Sequence, residues 1–309
     1  MSSSSGAWRG SPREYYRPPW WRLFRPLTFA GTLAPALFGA GLAHRRGFPP
    51  SISDLLLLLV ACLLVQSACN VWNDVLDVTR GLDAHRWSKE AMDASGRRRI
   101  SHHQAHRLAA ATTGAAILCG LALALRAGAW VVPFGVAGLL AGYLYSGGPK
   151  PLSSMALGEI TAFFLMGPVP AVLGYGVCTG PGDGGSIWAA LPSVAVASLP
   201  LAFGIASMIW TNNLRDCETD RVCRFTLPMA LGPRGRVWAL GGILAAEYVA
   251  LVGLTAARRL PVDALAAVLA IPLALGLIRA AATPGTPEVM RYAAWHHWAF
   301  GMLLAIAVW

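Results

Sequence analysis

Long apolar runs separated by short polar gaps dominate the chain. A helix needs about 20 apolar residues to cross a bilayer. Nine segments meet that length, at roughly 22–43, 53–73, 105–125, 128–146, 157–177, 187–212, 236–257, 261–282 and 292–309. Several contain proline (Pro35, Pro133, Pro168, Pro170, Pro192, Pro200, Pro272). Membrane helices tolerate proline because neighbouring helices and waters satisfy the freed backbone groups. The pattern predicts an all-α, polytopic bundle of about nine transmembrane helices around a central cavity, spanning residues 22–309. Residues 1–21 form a polar tail without the apolar core of a signal peptide. Trp20, Trp21, Arg22 and Arg25 read as an interfacial anchor before the first span.

Composition agrees with the pattern. Of 309 residues, 55% are hydrophobic and 13% charged, against about 25% charged in soluble domains. Such a chain cannot clothe a soluble globule in solvated charge, and it is too apolar to be disordered. The net charge of +10 calls for no nucleic acid, because the basic residues sit in short gaps where anionic lipid or anionic substrate meets them. With nine spans, twenty Lys and Arg fall on one side and five on the other. The positive-inside rule then sets the N-terminus in the cytoplasm and makes this an integral protein of the inner (cytoplasmic) membrane. The six cysteines form no CxxC and read as buried thiols.

Two polar clusters interrupt the apolar pattern, both on the predicted cytoplasmic side. The second span ends with Asn70, Asn73, Asp74 and Asp77, and the sixth with Asn212, Asn213, Asp216 and Asp220. At 100° per residue each set occupies an arc of about 100° on a helix. Intramembrane acids face a bundle interior or a cavity, and two acid stripes sharing a cavity repel unless cations lie between them. Carboxylate oxygens suit Mg²⁺, which binds through one or two carboxylates plus substrate phosphates. The stripes therefore read as a cradle for a Mg²⁺–diphosphate. Lys150, Arg215 and Arg221, with Arg86 in the loop after the first cluster, are expected to contact its oxygens. The competing reading is a set of solvated helix ends paired with Arg80, Arg86, Arg215 and Arg221.

These residues carry a resemblance. Asn73-Asp74-Val75-Leu76-Asp77 followed by Gly81-Leu82-Asp83, Tyr145-Ser146-Gly147-Gly148-Pro149-Lys150-Pro151-Leu152 with Leu157-Gly158-Glu159, and the stretch Asn212–Arg221 resemble the UbiA superfamily of intramembrane prenyltransferases. They are most similar to its 1,4-dihydroxy-2-naphthoate (MenA) branch in menaquinone biosynthesis. The resemblance implies that Asp74, Asp77, Asp216 and Asp220 hold Mg²⁺ on an isoprenyl diphosphate, assisted by Asn70, Asn73, Asn212, Asn213 and Asp83. It also implies that an aromatic acceptor attacks the allylic cation. Tyr143 and Tyr145 are expected either at the cavity, facing that cation, or as interfacial anchors. Val222-Cys223-Arg224-Phe225-Thr226-Leu227 departs from the branch's Gly-Lys-Arg-Thr-Leu-like stretch and leaves the acceptor open. A terpene cyclase of the same superfamily, needing no acceptor, and a cation or lipid transporter are the alternatives.

Overall fold

The computed structural model describes residues 16–17, 20–80, 87, 90–93, 96, 98–180, 184–221, 224–283, 286 and 288–309. Its helices are α1 (Ala30–Arg45), α2 (Ile52–Thr79), α3 (His102–Ala127), α4 (Val131–Ser146), α5 (Gly158–Met166), α6 (Pro168–Thr179), α7 (Gly184–Ala197), α8 (Leu199–Arg215), α9 (Cys217–Asp220), α10 (Pro233–Ala256), α11 (Ile271–Ala282) and α12 (Val289–Ala307). Short 3₁₀ segments at Trp20–Phe24, Pro26–Thr28, Leu227–Ala230 and Val262–Ala270 join or extend them. Strands are almost absent among the described residues: β1 (Tyr16–Arg17) pairs antiparallel with β2 (Ile100–Ser101).

Every expected apolar segment is helical, but the count of nine spans is not reached by length and apolarity. Five helices meet that test, at Ile52–Thr79, His102–Ala127, Gly158–Thr179, Pro233–Ala256 and Val262–Ala282. Two bent pairs raise the number to seven: Trp20–Thr28 with Ala30–Arg45, bent by 49°, and Ile187–Ala197 with Leu199–Arg215, bent by 57°. The second bend has a covalent cause, because Pro200 opens α8; a proline offers no N–H and crowds the carbonyl four residues back. Helix α4 is apolar but has only 16 residues, and α12 carries an exposed Arg291 and two buried histidines.

Burial is inverted relative to a soluble protein. Leu125 is 90% exposed and Trp238 80%, while Asp74, Asp77, Asp220, Glu159, Glu247, His296 and His297 are buried. Lipid tails are as apolar as leucine, so helices associate through close packing rather than through hydrophobic burial. Packing of α1 on α6 shows this most clearly. A Cβ built on Gly39 would lie 1.8 Å from the Ala171 carbonyl oxygen, and one on Gly174 would lie 2.0 Å from that of Ala36. Around this contact Ala34, Phe38, Leu42, Tyr175, Leu201, Phe300 and Leu304 form the largest core cluster.

The expected boundary at residues 21–22 falls inside the Trp20–Phe24 3₁₀ turn. This segment is docked onto the bundle: Asn70 Nδ2 donates to the Phe24 carbonyl at 2.9 Å, Gln66 Nε2 to the Thr28 carbonyl at 2.9 Å, and Trp298 Nε1 to the Leu27 carbonyl at 2.9 Å. Helix α3 starts with a capping box in which Ser101 Oγ accepts from the Gln104 amide and Gln104 Oε1 from the Ser101 amide.

The α1–α6 contact sets a stability test. Gly39→Ala and Gly174→Ala force backbone apart and are expected to cost about 1–3 kcal/mol each, read as a lower thermal midpoint in detergent. Gly253→Ala, with open space around it, is expected to be neutral or stabilising. Equal midpoints for all three variants would show that the contact is not close.

Candidate active site

Asn70 and Asn73 of the first stripe and Asn212 and Asp216 of the second line a cavity of about 900 Å³, whereas Asp74, Asp77 and Asp220 are not among its wall residues. Helix α2 runs on to Thr79, so Asn70, Asn73, Asp74 and Asp77 share one uninterrupted helix. The second stripe does not, since α8 ends at Arg215 and α9 begins at Cys217. Helical spacing survives the break because the Asp216 amide donates to the Asn212 carbonyl at 3.1 Å and the Asp220 amide to the Asp216 carbonyl at 2.9 Å.

Arginines stand between the acids. Arg25 Nη2 donates to Asp74 Oδ1 at 2.9 Å and to Asn73 Oδ1 at 2.7 Å. Arg224 lies 2.9 Å from Asp220 Oδ2 through Nε and 3.7 Å from Asp77 Oδ2 through Nη2, so one guanidinium joins the two motifs. Arg215 donates twice to Asp216, at 2.7 and 2.5 Å, and once to Asn212 Oδ1 at 3.0 Å. Asn73 Nδ2 donates to Asp77 Oδ2 at 3.0 Å and to Ser146 Oγ at 2.5 Å. The acids are buried rather than solvated, which removes the reading of them as surface helix ends.

Backbone contacts position Arg224. Its amide donates to the Asp220 carbonyl at 3.0 Å. The next residue, Phe225, bridges to Met155, with the Ala156 amide donating to the Phe225 carbonyl at 3.0 Å. The α4–α5 turn therefore braces the loop that carries the guanidinium. Arg80 donates to the Gly148 carbonyl of the same turn.

Several expected residues are placed otherwise. Lys150 is exposed and lies outside the cavity wall. Arg221 is exposed and pairs with Glu218 at 3.4 Å, and Arg224 takes the position between the motifs. Tyr143 is 45% exposed and packs edge-on against Trp72 with ring centroids 6.2 Å apart; two residues on a helix differ by about 200°, and Tyr145 is the one that lines the cavity. Asn213 is buried and donates to Glu159 Oε1 at 2.8 Å. Asp83 and Arg86 lie outside the described residues. Burial pushes the Cys217 thiol up from its ordinary pKa, so it stays a protonated filler beside the acids. The other described cysteines are free as well.

The donor set fits Mg²⁺. It consists of hard carboxylate and amide oxygens, and among the described residues no three His, Cys, Asp or Glu side chains could hold an ion by themselves. A metal here would complete its shell from phosphate oxygens and water, as Mg²⁺ does. Beyond the charged end the walls are apolar, with Leu58, Val65, Leu121, Val136, Leu139 and Leu173 among them. The arrangement can hold an amphiphile with a multiply charged anionic head and a long hydrocarbon tail.

Comparison with known proteins points the same way. The model of the UbiA prenyltransferase family matches residues 32–307. A 1,4-dihydroxy-2-naphthoate octaprenyltransferase of Bacillus subtilis is 32% identical over 76% of this chain and 72% of its own length. One of Mycobacterium tuberculosis is 34% identical over 73% and 74%. Among solved structures, a UbiA homolog from Aeropyrum pernix superposes with a TM-score of 0.65 at 16% identity, covering 91% of this chain and 96% of that one. A UbiA homolog from Archaeoglobus fulgidus, bound to GPP and Mg²⁺, gives 0.53 at 16% identity, covering 94% and 98%.

The shared guanidinium makes a differential prediction. Arg224→Met leaves two buried carboxylates facing each other and is expected to cost about 3–5 kcal/mol of folding stability. Arg221→Met removes a surface pair and should cost about 0–1 kcal/mol. Thermal unfolding in detergent compares them, and an equal loss would contradict the assignment of Arg224 as the bridge.

Proposed function

Because the chain belongs to the UbiA prenyltransferase family, we propose that this membrane prenyltransferase moves an isoprenyl group from its diphosphate to 1,4-dihydroxy-2-naphthoate or a closely related aromatic, with Mg²⁺ as cofactor. One observation carries the reading: the two acid motifs converge on Arg224 at the polar end of an otherwise apolar cavity. Identities of 32% and 34% to two naphthoate octaprenyltransferases support the acceptor. A similarly folded homolog bound to GPP and Mg²⁺ supports the donor and the metal.

Asp74, Asp77, Asp216 and Asp220 would hold Mg²⁺ together with the diphosphate. Bound there, the metal would supply the positive charge that stabilises the leaving diphosphate. Arg25, Arg215 and Arg224 supply fixed positive charge where the diphosphate gains negative charge. Asn73 and Asn212 orient these groups through the hydrogen bonds described above. The apolar wall holds the isoprenoid tail and keeps water from the electron-poor allylic carbon. Tyr145 lines that wall next to the charged end, where an aromatic ring would favour a developing cation. We place the charged end on the cytoplasmic side, a reading supported by the basic residues that cluster beside the acid motifs, Arg80, Arg215, Arg221, Arg224, Arg234 and Arg236, as the positive-inside rule favours.

Purified protein in detergent, given Mg²⁺, an isoprenyl diphosphate and 1,4-dihydroxy-2-naphthoate, is expected to yield a prenylated, decarboxylated naphthoquinol by mass spectrometry. EDTA should abolish diphosphate release. Asp74→Asn and Asp216→Asn should each lower turnover by about 100-fold or more. A cyclic hydrocarbon or alcohol formed without any acceptor would replace the transfer reading with a cyclase.

A further inference from the structure

One carboxylate beside the cavity has no part in holding the diphosphate. Glu159 stands in the first turn of α5 and is 5% exposed. Its Oε1 accepts from Asn213 Nδ2 at 2.8 Å. Its Oε2 is buried and has no hydrogen-bond partner among the described residues. A buried polar atom left unsatisfied costs about 1–3 kcal/mol, more when charged, so such an atom is a candidate for contact with a ligand.

The surroundings suggest which ligand. On α5, Thr161, Ala162 and Leu165 line the cavity, and on α8 so do Ile209 and Asn212. The Glu159–Asn213 pair therefore ties together two helices whose next turns form the cavity wall. Tyr145, also in that wall, lies within electrostatic reach of Glu159, Asp77, Arg25 and Arg224. Its hydroxyl would sit 3.1 Å from a Cβ placed on Gly158. Glu159 thus shares a neighbour, Tyr145, with the charged end of the cavity. The acceptor has to stand beside the allylic carbon, near the part of the wall formed by Tyr145, Ala162 and Ile209, and the Glu159–Asn213 pair adjoins these residues in sequence and through Tyr145.

Granted the aromatic acceptor proposed above, we infer that Glu159 is the proton acceptor for a ring hydroxyl of that acceptor, held in place by Asn213. The step balances as follows. The hydroxyl proton passes to Glu159 Oε2, and the O–H electron pair moves into the ring. A ring carbon bonds to C1 of the allylic group, while the C1–O bond breaks and leaves its pair on the diphosphate. If the attacked carbon bears a carboxylate, loss of CO₂ returns electrons to the ring oxygen and Glu159 gives the proton back. If it bears hydrogen, the ring rearomatises by losing that proton, and one proton per turnover is released to the medium.

Glu159→Gln tests this, because the amide oxygen can still accept from Asn213 while the base is lost. Binding of radiolabelled isoprenyl diphosphate and the thermal midpoint should stay within about twofold and a few degrees of wild type. The kcat for prenylation should fall about 100-fold or more, within the range of general base catalysis. Glu159→Asp, which keeps a shorter carboxylate, should recover part of the loss. The defect of Glu159→Gln should shrink with a fluorinated acceptor whose hydroxyl is more acidic, a dependence that a merely structural residue would not show. Wild-type kcat in Glu159→Gln, parallel loss of diphosphate binding and transfer, or an equal defect with both acceptors would overturn the assignment. Failure of wild-type protein to prenylate any hydroxylated aromatic would instead remove the acceptor reading, and this inference with it.

Discussion

Four carboxylates buried at one end of a membrane bundle repel one another and lose their hydration. Removing an ion from water costs several kcal/mol unless an opposite charge meets it. Arg25 meets Asp74, Arg215 meets Asp216, and Arg224 meets both Asp77 and Asp220. The last contact matters most to the architecture, because it joins α2 to the end of α9, two elements far apart in the chain. The cavity has its charged end because these two elements are held together there.

The same demand shapes the N-terminal segment. To bring its guanidinium to Asp74, Arg25 adopts a φ of 53°, a left-handed conformation that costs a side chain with a Cβ energy. Such strain persists where surrounding contacts over-determine it. Here they do: Asn70 holds Phe24 and Gln66 holds Thr28 from the neighbouring turns of α2. The amide stripe on α2 therefore divides its work. Asn70 fastens the backbone that presents Arg25, while Asn73 orients Asp77 and receives Arg25.

The helical class and the convergence of the acids are legible in the sequence because both rest on periodicity. Apolar run length announces helices, and 100° spacing announces which polar residues share a face. The cations are harder to read. Lys150 and Arg221 stand next to the motifs in sequence, yet they face outward. Arg224 lies in a stretch that departs from the naphthoate-branch pattern, and a strained backbone brings Arg25 in from the N-terminal segment. Arg224 pairs with Asp220 at i,i+4, but its reach to Asp77 and the Arg25–Asp74 contact join distant parts of the chain and do not follow from local spacing. Tyr143 and Tyr145 are equivalent by composition, and only the rotation of α4 separates them. Nine apolar segments do not yield nine long apolar helices, because Pro200 bends one segment and α12 buries polar groups. His296 and His297 are among these, with His296 Nε2 3.8 Å from Glu247 and 3.1 Å from the Tyr248 hydroxyl of α10. Buried polar groups lower the hydropathy of the helix that carries them, even where that helix is part of the bundle.

The abrupt change in polarity along the cavity has a chemical consequence. An isoprenyl diphosphate is itself divided, with charge on one side of C1 and hydrocarbon on the other. A cavity that is acid, amide and guanidinium at one end and aliphatic beyond it fixes the sliding position of such a molecule without touching its reactive carbon. Moving the substrate one methylene toward the charged end would place a CH₂ among ions and cost about 0.8 kcal/mol of hydrophobic burial, and it would also pull the phosphate oxygens out of register with their donors. The reverse shift would draw phosphate oxygens into the aliphatic wall at greater cost. C1 of an isoprenyl diphosphate bound there would therefore be held at the boundary. Tyr145 lines the wall at that boundary, so the polarity step that would select the substrate also determines which side chains surround the bond that breaks.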